Sequence, residues 1–155
     1  MAGEEIPIGR SDIPGEDLPD ELASLVQTAV SWTHRRWRTV AGYDGLGYGA
    51  LSLLHRLLRV GPQSLGELAR WEGVTPATIS QTADRLLDGG FVTRAAIARD
   101  RGGERLKITE SGAAAAQHWI DQGVAWIDAA LADASDADRE TLRRAAHLLV
   151  AIART

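Results

Sequence analysis

Between Pro19 and about Ala41, Leu22, Leu25, Val26, Ala29, Thr33, Trp37 and Val40 recur three or four residues apart. That period predicts a helix with one covered face, and Pro19 suits its first turn. Gly42, Gly45 and Gly47 interrupt the pattern. A second helix is predicted through Leu46, Ala50, Leu53, Leu54, Leu57 and Leu58, stopping at Gly61–Pro62. Ser64 and Glu67 then have the spacing of a capping box, which starts a short helix that Gly73 ends. Thr75 is a good N-cap and Pro76 a good first helical residue. The helix they open is expected to reach Gly89–Gly90, with Ile79, Ala83, Leu86 and Leu87 on its apolar face.

The period then changes. "FVTRAAI" and "ERLKIT" are short and partly alternating, as in two strands of a hairpin. Gly102–Gly103 can form a two-residue loop, because both glycines accept positive φ. With that loop Ile97 would face Ile108, Asp100 would face Arg105, and Arg101 would face Glu104. After Gly112 a long helix carries Ala116, Ile120, Val124, Ile127 and Leu131, with Trp119 and Trp126 widening the stripe. A last helix opens at Ser135, with Asp138 in box position, and carries Leu142, Ala145, Ala146, Leu149 and Ile152. Both end segments have more apolar face than one small domain can cover, which points to a dimer seam containing Trp119 and Trp126.

A short helix, a tight turn at "EGV", a second helix and a hairpin form a helix-turn-helix followed by a wing. The outward face of the Thr75–Gly89 helix offers Thr75, Ala77, Ser80 and Gln81, with Thr78 on one flank and Arg85 further along, and Pro76 joins the candidates at the helix start. Gln pairs with adenine, Ser with several base edges, and a methyl group with the thymine methyl. Ser64 and Arg94 at the margins, and Arg99, Arg101, Arg105 and Lys107 on the wing, complete the candidate DNA-binding set. Cross-strand pairing with Asp100 and Glu104 would neutralise half of the wing's positive charge.

Composition narrows the partners. A net charge of −4 over 155 residues excludes bulk coating of nucleic acid but permits a local DNA-binding patch. The acidic segment 1–18 is expected to be a flexible lead-in, and 19–155 a single domain. The absence of cysteine removes disulfides and Cys-ligated zinc, and no apolar run is long enough for a bilayer. The expected location is the cytoplasm. His34, His55, His118 and His147 are scattered without metal-ligand spacing, and no nucleophile elbow or phosphate loop is present. Neither a metal, a cofactor nor an enzymatic activity is expected.

"SLGELARWEGVTPATISQTADRLLDGGFVTR" followed by "RDRGGERLKITESG" resembles the multiple-antibiotic-resistance regulator (MarR) family. Glu67-Leu68-Ala69, Thr78, Asp84-Arg85-Leu86, Gly90, Arg94, Asp100-Arg101, Thr109 and Gly112 occupy the family's places. The flanking helices also match, so the resemblance runs from about Pro19 to the C-terminus. It implies a mostly α fold: a winged helix-turn-helix over 46–111 with a small β-hairpin wing, and dimerisation helices at 19–41 and 112–155. It also implies a homodimer on double-stranded DNA, with recognition helices in successive major grooves and wings near the minor groove. Many members are repressors released by small aromatic or phenolic ligands held between the dimer helices and the winged domain. Trp32, Arg36, Tyr43, Tyr48 and His55 are the candidate ligand residues. The family usually has a second arginine after Asp-Arg, and it often enters the minor groove; here the position is Gly102, leaving that task to Arg101 or Arg105. The alternative is a winged-helix dimer that binds protein and not DNA.

Overall fold

The computed structural model describes residues 19–43, 45–96 and 104–154. Among them, α1 (Leu22–Val40), α2 (Tyr48–Val60), α3 (Leu65–Glu72) and α4 (Pro76–Asp88) precede the strands β1 (Val92–Ala96) and β2 (Glu104–Ile108). Two further helices follow, α5 (Glu110–Ala130) and α6 (Asp136–Ile152). The fold is mostly helical with one small antiparallel hairpin, as the periodicity predicts. No described helix is long and apolar enough to cross a membrane.

The chain divides into two units, one ending at Thr39 and one beginning at Val40. The first contains α1, which starts at Leu22, so Pro19 precedes the helix and does not lie in its first turn. No residue of α1 is buried.

The second unit is organised around α2, which packs against α4, α5 and β2. Leu51, Leu53, Leu54 and Leu57 of α2 are almost wholly buried. Each contributes about 1.5–3 kcal/mol relative to an exposed side chain. Leu68 and Ala69 of α3, Ile79, Ala83 and Leu86 of α4, Val92 and Leu106 of the strands, and Ala115 and Ala116 of α5 complete the core. Leu46 lies before α2 and not within it; its amide donates to the Tyr43 carbonyl in the preceding turn.

The caps follow the sequence closely. Ser64 and Glu67 form the reciprocal capping box of α3, and Gly73 ends that helix at φ 67°. Thr75 caps α4 and Pro76 is its first residue. The Ser135 hydroxyl accepts the Asp138 amide at 3.1 Å and opens α6.

Two further expectations, both about packing, need correction. The hairpin pairs Val92 with Ile108, Ala95 with Arg105 and Ala96 with Glu104. Ile108, Arg105 and Glu104 are thus paired with residues other than the expected Ile97, Asp100 and Arg101, which lie outside the described residues; at Ile108 the register differs by five positions (97 − 92). Burial sets this register. Val92 and Leu106 both point into the core, and a shift by an odd number would turn one strand's apolar set toward solvent. Gln63 fixes β2 from the other side, exchanging backbone hydrogen bonds with Leu106 at 3.2 and 2.8 Å. Gly102–Gly103 lie outside the described residues.

Trp119 is the second correction. It is only 5% exposed and meets Tyr48 edge-on and His55 at a tilt within its own chain, at centroid distances of 5.6 and 5.9 Å. It belongs to the α2–α5 interior and not to a seam between chains.

Helix α5 begins at Glu110, earlier than the position of Gly112 suggested, and Gly112 lies in its first turn. A Cβ on Gly112 would come within 2.0 Å of the Phe91 carbonyl oxygen. The same junction is held by Thr109 and Ser111, whose hydroxyls donate to the Gly90 carbonyl at 2.8 and 3.0 Å. The "ITESG" segment thus fastens the return from the wing onto the turn that leads into it.

Candidate nucleic-acid interface

Helix α4 has two chemically distinct faces. Ile79, Ala83 and Leu86 are buried in the core, whereas Thr75, Pro76, Ala77, Thr78, Gln81 and Arg85 are exposed and Ser80 is half-buried. The exposed set is concentrated at the N-terminal half, where a helix lying in a major groove reads base edges. Thr75 accepts the Thr78 amide at 3.2 Å, and the two hydroxyls are 3.0 Å apart. Since Pro76 has no N–H and the Thr78 N–H is already used, this helix end offers hydroxyls and an amide side chain more than free backbone donors. Thr82 donates its hydroxyl to the Thr78 carbonyl at 3.1 Å, within the helix.

Among the described residues, two cations near this face, Arg94 and Arg105, are engaged by carboxylates. Arg94 on β1 pairs with Glu104 across the hairpin and lies 3.6 Å from Asp84 on α4. Its side chain remains 49% exposed, so the guanidinium sits at the surface between two acids. Arg105 turns the other way. It donates to Glu67 at 2.9 Å and to the Pro62 carbonyl at 3.3 Å, and is only 20% exposed. Lys107, opposite Thr93, is exposed. Arg99 and Arg101 lie outside the described residues.

Ser64 is occupied by its capping role. Its hydroxyl accepts the Glu67 amide at 3.3 Å and donates to the Glu67 carboxylate at 2.9 Å. That carboxylate also accepts the Ser64 amide at 2.7 Å. The Ser64 backbone and hydroxyl bonds, with the nearby Arg105 charge, hold the Glu67 carboxyl below the ordinary glutamate value. Sequence reasoning missed this link between wing and helix-turn-helix. A cap motif and a hairpin arginine 38 residues apart give no periodic signal of their contact.

Of the five candidate ligand residues, the three in the second unit fall into two aromatic clusters. Tyr48 and His55 share Trp119 as a neighbour, forming an aromatic cluster between α2 and α5. Burial, with the nearby Arg59 charge, lowers the His55 imidazole from its usual range and favours its neutral form. Tyr43 belongs to a second cluster, edge-on to Phe91 at 6.3 Å and to His118 at 5.5 Å. Trp32 and Arg36 lie on α1 in the other unit. Trp71 packs under Arg56, whose guanidinium carbon is 5.1 Å from the ring centre.

A profile of the MarR family matches residues 48–101, which span α2 to the first part of the wing. A helix-turn-helix type transcriptional regulator of Mycobacterium tuberculosis is 30% identical over 136 residues, covering 88% of this chain and 95% of the relative. A regulator of Mycobacterium bovis matches to the same extent. Among solved structures, a MarR family protein from Bacillus stearothermophilus has a TM-score of 0.75 at 21% identity, over 86% of this chain and 94% of its own. A MarR transcriptional regulator from Methanosarcina mazei has a TM-score of 0.68 at 20% identity, over 83% and 95%. The exposed face of α4, the hairpin behind it and these likenesses agree: the chain belongs to the MarR family, whose members are DNA-binding transcriptional regulators and not enzymes.

Proposed function

We propose that the protein is a cytoplasmic homodimeric repressor of a pseudo-palindromic operator, released by a small aromatic or phenolic ligand. The observation that carries the DNA-reading part is the division of α4, whose core face is fully buried while Thr75, Ala77, Thr78 and Gln81 stand exposed on its first turns. A second copy is supported by α6, which has no buried residue and leaves Leu148 and Ile152 more than 60% exposed. Twofold symmetry would present two α4 helices to half-sites about 34–36 Å apart.

The Tyr48–Trp119–His55 cluster supports an aromatic effector, since its rings favour edge and offset contacts with another ring. A ligand that fits only the arrangement unable to span both half-sites lowers operator affinity by the ratio of its affinities for the two arrangements.

The test is a salt-titrated binding measurement on a duplex from the protein's own upstream region. Affinity should fall steeply with salt, and Arg101→Ala should weaken binding and reduce the logarithmic slope by about one unit. No binding at low salt would overturn the repressor reading. A panel of aromatic acids should raise the melting temperature if the effector site is as described.

A further inference from the structure

We propose that Arg105 and Glu67 are positioning residues for DNA binding: together they lock strand β2 onto the start of α3, so that wing and helix-turn-helix approach DNA as one rigid piece. This rests on the DNA-binding reading above and specifies which cation of the wing works through the protein and not through phosphate.

Three observations converge on the loop between α2 and α3. Arg105 reaches back 38 residues to the Glu67 carboxylate at 2.9 Å and also donates to the Pro62 carbonyl at 3.3 Å. The next residue, Leu106, exchanges two backbone hydrogen bonds with Gln63. Glu67 itself is held by the Ser64 amide and hydroxyl, so its carboxylate is fixed before Arg105 arrives. The contact is partly shielded, with the Arg105 and Glu67 side chains 20% and 32% exposed. An arginine fixed this way directs its donors into the protein. Residues 62–67 thus form a seat for the base of the wing, and the same capping box that starts α3 sets the wing's direction.

The alternative for Arg105 is direct contact with a phosphate, with Glu67 as a competitor for its charge. The two accounts differ in sign. Neutralising Glu67 would free a phosphate-binding arginine and tighten binding, whereas it would loosen a positioned wing and weaken binding.

The experiment compares the full-length chain with Glu67→Gln, Arg105→Ala and the double variant. It uses fluorescence anisotropy on the upstream duplex, with the active fraction fixed by stoichiometric titration and all variants held below their melting transitions. Each single variant should weaken binding by about three- to tenfold, and the double variant should be no weaker than the worse single one. Arg105→Lys should recover part of the loss if it keeps the Glu67 contact. Binding by Glu67→Gln as tight as the unaltered protein, or tighter, overturns the proposal, as does full additivity in the double variant.

Amide hydrogen exchange gives a readout that does not depend on DNA. The Leu106 and Gln63 amides should exchange faster in both single variants while Leu86 stays protected. Unchanged exchange at Leu106 and Gln63 overturns the proposal. If the unaltered protein fails to bind the duplex, the repressor reading fails, and the exchange result alone then decides whether β2 is seated by Glu67.

Discussion

Helices α2 and α6 carry the same kind of leucine-rich stripe and end in opposite surroundings. Leu51, Leu53, Leu54 and Leu57 of α2 are almost fully buried, whereas Leu142, Leu148, Leu149, Val150 and Ile152 of α6 are exposed. The difference is one of neighbours. Helix α2 is enclosed by α4, α5 and β2 of its own chain, while no described part of the chain buries any residue of α6. A periodic apolar face therefore shows that a surface favours cover, without saying which chain provides it.

The comparison breaks most severely at α2. Leu54→Ala should cost about 2–5 kcal/mol in urea unfolding, because the cavity is surrounded by core on all sides. A cost under about 1 kcal/mol would mean that α2 is not the centre of the fold. On α6, changing Leu148 and Ile152 together to aspartate should leave the folded core intact. Sedimentation should show a monomer, with operator affinity lowered about a hundredfold through loss of bivalent contact. A dimer that persists would move the seam away from α6.

A smaller effect is expected at the junction that returns the chain from the wing. Gly112→Ala places a methyl group against the Phe91 carbonyl and should destabilise by about 1–3 kcal/mol in the same unfolding assay. Glu110→Ala, an exposed change two residues earlier in the same turn, is the control and should change stability little.

The smallest effect is a pH dependence. Glu67 is held charged in the folded protein, so its contribution is complete above the ordinary glutamate value of 4.5. It is lost as the pH falls through the lowered folded value. Thermal melting of the unaltered protein and Glu67→Gln should therefore differ at neutral pH and converge in acid. A constant difference across that range would remove Glu67 from the account.

How far the sequence could be read follows from the kind of signal each feature leaves. The starts of α3 and α4 were legible because Ser64/Glu67 and Thr75/Pro76 act within four residues of themselves. The exposed face of α4 was legible for the same reason: once Ile79, Ala83 and Leu86 point inward, the positions of Thr75, Thr78 and Gln81 follow from helical geometry. The hairpin register was not legible. Gly102–Gly103 is a strong local turn signal, but the pairing is fixed by the burial of Val92 and Leu106 and by Gln63, all outside the turn. Trp119 failed in a similar way, since α5 is apolar on several sides and its period does not show which side meets α2. The Glu67–Arg105 contact was invisible because neither residue belongs to a pattern that mentions the other.

The bracketing of Arg94 by Asp84 and Glu104 bears on how such a protein would search a genome. A guanidinium already balanced by its own protein's carboxylates has few associated anions, and DNA few extra cations to release when it approaches. Arg94 therefore adds little to any generic attraction to random sequence. Were this face laid on DNA, the exposed side chains of α4, more than this guanidinium, would carry the discrimination.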